Sequence, residues 1–201
     1  DRKKMSKSKG NVVTPTDTLD EYGSDSVRYW SASARLGSDA ATDPNVFKEG
    51  KRLITKIRNA ARLVLGFEGA SGQPTHPMDR ALNARLGALV QEVTDRWEAW
   101  DHAGALSATE SWFWNDFCDN YLELVKTRAY NGDPSALGTL RSALDVVLRL
   151  FAPFVPFVTE EVWSTMQKSG SIHVSSWPRA EDLPETADTG AFDVAVGLLA
   201  Q

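Results

Sequence analysis

The 201 residues carry a formal net charge of −5, and 42% of them are hydrophobic. This composition is typical of a globular protein with one or two domains and excludes a disordered or fibrous chain. The longest apolar stretch, 144–158, is interrupted by charges and prolines, so it falls short of the roughly 20 residues that span a bilayer. No apolar signal core follows the basic first residues, and we therefore expect a cytoplasmic protein.

Positive charge is concentrated in two short stretches, 1–10 and 48–62, whereas acidic residues collect after Arg179. Phosphate binding depends on a local basic surface, so the distribution of charge matters more than its sum. An acidic protein with a basic face can therefore still bind RNA.

Helix-start residues predict two short helices near the N-terminus. Thr14 and Pro15 begin the first, and Ser24–Asp25 cap a second that ends near Leu36. The polar stretch 38–43 then marks the domain boundary that we predict, and Pro44 marks the start that follows it.

Four longer segments carry apolar residues at three- and four-residue spacing, which is typical of amphipathic helices. They are 46–67, 79–102, 106–130 and 137–150. Each apolar stripe has to be buried against another helix, so the sequence predicts an antiparallel helical bundle.

The C-terminal part is less regular. Pro153 and Pro156 break the preceding helix, and a new one restarts at Thr159. Residues 171–178 favour an extended strap or one short strand, and 192–199 begin a last apolar helix after an acidic stretch. The predicted fold is mainly α with at most one or two short strands. We divide the chain into a loop-plus-helix segment over 1–38, a helical domain over 39–178, and an acidic linker with a helix start over 179–201.

The most informative stretch is Lys3–Asn11, where lysines alternate with small hydroxyl residues and a glycine follows. A mobile loop of this kind can place ammonium groups and backbone N–H donors against a polyphosphate. On composition alone, a solvated basic tail at a chain end is the more ordinary interpretation.

Residues Lys4–Ser8 match letter for letter the Lys-Met-Ser-Lys-Ser signature of class I aminoacyl-tRNA synthetases. The segment Tyr22–Trp30 also resembles the pattern that follows this signature in the Val, Ile, Leu and Met subgroup. The resemblance implies that the loop closes over ATP, a substrate used with Mg. It implies catalytic roles for Lys4 and Lys7, with ATP contacts from Lys7, Ser6, Ser8 and Met5.

Two later segments resemble the valine-specific enzymes of this class, Trp114–Lys126 and Phe151–Trp163. The Phe117–Cys118 pair favours valine, because the isoleucine enzymes usually lack it. The resemblance implies a monomeric ligase that activates valine with ATP and transfers it to tRNA. The same region of an isoleucyl- or leucyl-tRNA synthetase, or a helical interaction module without RNA binding, stays open as an alternative.

The sequence departs from the class in one respect, since no His-Ile-Gly-His-like motif or nucleotide-binding β/α domain precedes the lysine loop. Catalysis at a phosphorus centre requires groups held in fixed geometry around the reacting atoms. We therefore expect this piece to be inactive by itself and to bind no cofactor.

The helix over 46–67 offers a candidate RNA-binding face opposite its apolar stripe. The residues predicted to contact tRNA are Lys51, Arg52, Arg58, Asn59 and Arg62. Arginine and lysine suit phosphates, and Asn59 can read the edge of an unpaired base. Phe67 can stack on a splayed base, although an apolar residue at a helix end is more often a packing contact. The simpler alternative is an ordinary solvated helix face.

Other chemically suggestive residues are interpreted as structural. Cys118, the single cysteine, is expected in the core, and the three histidines lack the neighbours that a metal site requires. Core packing is expected for Trp97, Trp100, Trp112, Trp114 and Trp163. Glu160 and Glu161 are interpreted as partners of a helix dipole in the first turn.

Overall fold

The computed structural model describes residues 6, 8, 10, 15–38, 42–166, 168–183 and 190–199, without the side chains of 191, 198 and 199. The helices are α1 Pro15–Tyr22, α2 Ser24–Ser33, α3 Pro44–Gly66, α4 Pro77–Glu98, α5 His102–Trp112, α6 Leu122–Tyr130, α7 Pro134–Phe151, α8 Pro156–Thr165 and α9 Gly190–Leu199. No strand occurs among these residues, and the predicted helical fold is confirmed.

Prolines and aspartates fix where the long helices begin. Pro44 and Pro134 occupy the first position of α3 and α7, where the missing N–H costs no hydrogen bond. The carboxylate of Asp43 accepts from the backbone N–H of Asn45 at 2.9 Å, and Asp133 accepts from Ser135 at 2.9 Å. The start of α3 at Pro44 is confirmed. The start of α7 lies three residues before the predicted 137 because apolar spacing begins only inside the helix.

The helix α4 ends at Glu98, earlier than the predicted 102. Trp100 then adopts a φ of 62°, and the next N–H, on Asp101, donates to the carbonyl of Arg96 at 2.8 Å. Trp100 is 80% exposed, so the expectation that it packs in the core is wrong. The tryptophan continues the spacing of the α4 stripe, but the backbone reverses before it.

The predicted helix over 106–130 contains a π-helical segment over Phe113–Tyr121, between α5 and α6. Phe113, Phe117 and Tyr121 are fully buried along it. Cys118 is also buried, as expected, and burial raises the pKa of its thiol to about 12. Such a thiol stays protonated and unreactive at neutral pH.

The helix α8 begins at Pro156 and not at Thr159. Its cap comes from the other end of the chain, because the carboxylate of Asp25 accepts from the backbone N–H groups of Phe157 and Val158 at 3.1 and 2.8 Å. The expectation that Ser24 and Asp25 cap α2 is wrong for the same reason. Gly23 occupies that capping position without a side-chain bond.

Glu160 and Glu161 therefore lie beyond the first turn of α8, and the interpretation as dipole partners is wrong. Glu160 accepts from the hydroxyl of Ser171 and the N–H of Ile172, which attaches the following strap to α8. The strap contains a 3-10 turn over Ile172–Val174 and not the short strand that the sequence leaves open.

The core lies between the long helices and includes side chains of α2 and α9. Near the N-terminus, Tyr29 of α2 packs on Gly50 of α3, where an added Cβ would lie only 3.0 Å from the Tyr29 ring. Near the C-terminus, Phe192 of α9 is 1% exposed, and the contacts of α9 are with α4. The division of the chain at 38 and 178 stays a prediction.

A buried carboxylate ties α4 to the helices that follow. Asp79 is fully buried and accepts two hydrogen bonds from Arg128 of α6, at 2.9 and 2.7 Å. It also accepts from the hydroxyls of Tyr121 and Ser135, at 2.7 and 2.5 Å. A buried charge is stable only when paired and fully hydrogen-bonded, so this network is structural.

Two of the three histidines have backbone partners for their rings, and the third, His173, lies 3.9 Å from a carboxylate oxygen of Glu160. His76 accepts from the N–H of Met78 through Nδ1, and His102 Nε2 lies 3.1 Å from the carbonyl of Ala34. Within the ranges described above, three or more metal-binding side chains do not come together anywhere. In the same ranges, every helix is too short or too polar to cross a membrane.

Candidate nucleic-acid interface

The helix α3 presents opposite chemistry on its two sides. Leu53, Ile57 and Val64 are at most 1% exposed and face the core. The other side exposes Lys48, Lys51, Arg52, Arg58, Asn59 and Arg62. At 100° per residue these six side chains share an arc of about 120°, so they form one surface, which we call the α3 face.

The structure thus brings the five predicted tRNA-contacting residues together on this face, but they differ in what surrounds them. The amine of Lys51 donates to the carbonyl of Glu21 at 3.4 Å. Within the described residues, Lys48, Arg52, Asn59 and Arg62 have no side-chain hydrogen bond or ion pair. Their charges and amide are therefore available to an external ligand.

Arg58 is already paired. Its Nε donates to both carboxylate oxygens of Glu161 at 3.0 and 3.1 Å, and its second guanidinium nitrogen donates to Oε2 at 2.6 Å. These hydrogen bonds raise the pKa of Arg58 and lower the pKa of Glu161. Both side chains are about half exposed. A solvated pair of this kind is open to exchange of one partner.

One edge of the α3 face is occupied by Lys56. Its amine lies 3.1 Å from a carboxylate oxygen of Asp119 and 4.7 Å from the centre of a ring of Trp114. Trp114 is half-buried beside α3, so its expected core packing is only partly confirmed. Trp112 and Trp163 are buried and Trp97 is partly buried, as expected.

Phe67 is not available for base stacking. It is 5% exposed, and its ring meets that of Tyr130 edge-on at 4.9 Å. Tyr130 is 66% exposed and lies at the same end of α3, so it is the aromatic surface that sequence reasoning missed. Its place just before the Asn131–Gly132 turn is the signal that could have identified it as a surface residue.

The lysine loop is only partly described. Ser6 is half-buried, Ser8 is exposed, and their hydroxyl oxygens are 2.6 Å apart. Lys4, Met5 and Lys7 lie outside the described residues. The ATP contacts implied by the resemblance are therefore untested by the geometry.

The segment that follows this loop is attached to the bundle through α8. Asp25 caps α8, and Arg28 donates to the carbonyl of Pro153 at 2.9 Å. One turn further along, α8 carries Glu161, the partner of Arg58. The N-terminal segment and the α3 face are thus joined by a continuous series of contacts.

Two family models match parts of this chain on either side of α3. Residues 79–200 match the model of the anticodon-binding domain of tRNA ligases. The chain belongs to this family. Residues 1–43 match a second model, that of the class I tRNA synthetases for I, L, M and V. One chain thus contains both a region of the synthetase class that the lysine signature indicates and a region of the anticodon-binding family.

The relatives of this chain include many valine–tRNA ligases. The valine–tRNA ligase of Thermobifida fusca (strain YX) is 51% identical over 94% of this chain and 22% of that protein. That of Cutibacterium acnes (strain DSM 16379 / KPA171202) is 50% identical over 99% of this chain and 24% of that protein. The resemblance to the valine enzymes is confirmed. The chain spans less than a quarter of the length of these relatives.

A solved structure shows the same fold. The Agrobacterium radiobacter K84 agnB2 LeuRS, in a ternary complex with tRNA and LeuAMS, matches with a TM-score of 0.68 at 22% identity. The match covers 90% of this chain and 22% of that one. At this identity the likeness supports the helical architecture.

Proposed function

We propose that this chain is the part of a valine–tRNA ligase that binds the anticodon arm of a valine tRNA, and that the α3 face contacts the RNA. The observation that carries the proposal is the identity of about half of all residues to valine–tRNA ligases over nearly the whole chain. The same identity favours valine over isoleucine or leucine as the amino acid.

The residues of the α3 face divide by role. Arg52 and Arg62, which have no partner within the described residues, neutralise phosphates together with Lys48 and Lys51. Asn59 presents an amide, which can both donate to and accept from the edge of an unpaired base. Arg58, held by Glu161, contributes less to phosphate binding than its position on the helix suggests.

The N-terminal segment serves the activation of valine in the whole ligase. In that reaction the valine carboxylate attacks the α-phosphorus of ATP, and pyrophosphate leaves. Lys4 and Lys7, with Ser6, Ser8 and Met5 beside them, would neutralise the charge that develops on the departing group. Magnesium would accompany ATP. We further propose that the ligase is a cytoplasmic monomer.

The test is RNA binding by this chain, measured by filter retention with a valine tRNA and a non-cognate tRNA at two salt concentrations. The proposal requires tighter binding to valine tRNA and a loss of affinity as salt rises, because phosphate contacts release counterions. Binding that is absent, or equal for the two tRNAs and insensitive to salt, would instead favour a helical interaction module.

A further inference from the structure

We infer that Glu161 restrains sequence-independent RNA binding by the α3 face, because its carboxylate occupies the guanidinium of Arg58 that would otherwise hold a phosphate. This inference rests on the proposed RNA-binding function and specifies how the affinity of the same surface is set.

The Arg58–Glu161 pair has the two-pronged geometry with which a guanidinium also binds a phosphate. Arg58 presents Nε and a terminal nitrogen to the two oxygens of Glu161, with distances from 2.6 to 3.1 Å. Carboxylate and phosphate both fit the two-pronged guanidinium edge, so they compete for the same donors. The carboxylate is tethered to the protein and always present, whereas the RNA has to displace it.

The position of Glu161 is fixed by the protein. Its helix, α8, is capped by Asp25 through two backbone hydrogen bonds at 2.8 and 3.1 Å. Val158 and Val162, on the inner side of α8, are at most 4% exposed. These contacts hold the backbone of α8, so the carboxylate of Glu161 stays within reach of Arg58.

Stability is a weak reason for this pair. The side chains of Arg58 and Glu161 are 46% and 53% exposed, and exposed ion pairs contribute little to folding. The pair has a clearer consequence for the electrostatic potential of the α3 face. Phosphate contacts strengthen binding to every RNA alike, whereas base contacts discriminate. A negative charge beside Arg58, at one edge of the α3 face, therefore limits the part of the affinity that carries no sequence information.

The chain offers a matched control for this test. Glu92 and Arg96 on α4 form an ion pair at 2.9 Å with side-chain exposures of 51% and 39%, close to those of the Arg58–Glu161 pair. Glu92→Gln thus removes the same charge from a similarly exposed pair, although Arg96 keeps a second partner in Asp101 at 2.8 Å. Within the described residues, α4 makes no hydrogen bond or ion pair with the α3 face.

The experiment compares tRNA binding by Glu161→Gln, Glu92→Gln and the double variant Arg58→Gln/Glu161→Gln. Freeing Arg58 is expected to raise affinity roughly three- to tenfold, with a steeper salt dependence by about one released ion. The gain should be equal for valine and non-cognate tRNA. Glu92→Gln should bind as the unaltered chain does, and the double variant should lose the gain.

Several results would overturn the inference. They are an unchanged affinity of Glu161→Gln, an equal gain from Glu92→Gln, a gain that survives in the double variant, or a gain confined to valine tRNA. Glu161→Ala, which removes the carboxylate without adding an amide, must reproduce the gain. If Arg52→Gln and Arg62→Gln weaken binding but Glu161→Gln has no effect, only this inference fails. If neither arginine variant weakens binding, the proposal that the RNA binds at the α3 face is wrong.

Discussion

The carboxylate of Asp25 accepts a hydrogen bond from the backbone N–H of Val158 at 2.8 Å, joining residues that are 133 positions apart in the chain. Asp25 is 7% exposed and belongs to α2, which follows the lysine loop. A helix cap is normally supplied by the residue just before the helix. Here it also attaches the N-terminal segment to the bundle, so α8 depends on the presence of α2.

Replacing Asp25 with alanine should therefore destabilise the fold. The two capped N–H groups of α8 lose their acceptor in a buried place, and we expect a loss of about 1–2 kcal/mol in the free energy of unfolding. Urea denaturation of the chain measures this value. Asp20→Ala, an exposed change on α1, is the control and should leave the urea midpoint unchanged. Equal midpoints for the two variants would contradict the capping role.

Trp100 occupies a position where glycine is expected. The turn after α6 has the same hydrogen bonds as the turn after α4. The backbone N–H of Asp133 donates to the carbonyl of Arg128 at 3.0 Å, as the N–H of Asp101 does to that of Arg96 at 2.8 Å. Each aspartate also forms an ion pair with that arginine. The residue before the aspartate is Gly132 in one turn, with a φ of 71°, and Trp100 in the other, with a φ of 62°.

Because a side chain in this left-handed region costs about 1–2 kcal/mol, Trp100→Gly should stabilise the protein by about 1 kcal/mol. Gly132→Ala should lower stability by a similar amount, since no neighbouring atom within 3.7 Å offers the new methyl group a compensating contact. Denaturant midpoints of the two variants should move in opposite directions. A lower midpoint for Trp100→Gly would show that the indole makes a stabilising contact.

Burial of Glu110 makes stability depend on pH. Burial raises the pKa of its carboxyl group, which accepts a hydrogen bond from the hydroxyl of Tyr29 at 2.8 Å. An acid whose pKa is raised in the folded state stabilises the fold fully below its unfolded pKa. That contribution is lost as the pH rises through the folded pKa.

Glu110→Gln should remove this dependence, because the amide oxygen still accepts from Tyr29 and carries no charge. The free energy of unfolding of the variant, relative to the unaltered chain, should increase from the ordinary glutamate range towards neutral pH. Urea denaturation at a series of pH values measures the difference. A difference that stays constant, or shrinks as the pH rises, would contradict the proposed effect of burial.

The local features of the chain were predictable from sequence, and the long-range ones were not. The apolar spacing of α3 identified both its buried side and its exposed basic face, because both depend only on residues three or four apart. The pairing of Arg58 with Glu161 joins positions 103 apart, and no local pattern encodes it. The cap that Asp25 supplies to α8 is missed for the same reason, and with it the start of that helix.

Backbone geometry accounts for the remaining differences. Trp100 continues the apolar spacing of α4, and only the reversal of the chain at Glu98 places it in solvent. The helix-end position of Phe67 favours a packing contact over base stacking, and Tyr130, the last residue of α6, provides that contact. The exposure of Trp100 is thus set by the turn that follows its helix, whereas Phe67 is covered by a residue of a distant helix.

The most direct test of the central claim is the dissociation constant of valine tRNA for the double variant Arg52→Gln/Arg62→Gln. Both side chains are exposed on the α3 face, so their loss should leave the fold intact while removing two phosphate contacts. The account predicts binding weaker by roughly tenfold or more and a salt slope lower by about two ions. Arg179→Gln, an exposed change at the start of a turn that contacts α4, should bind normally. Affinity and salt slope equal to those of the unaltered chain would contradict the placement of the RNA on α3.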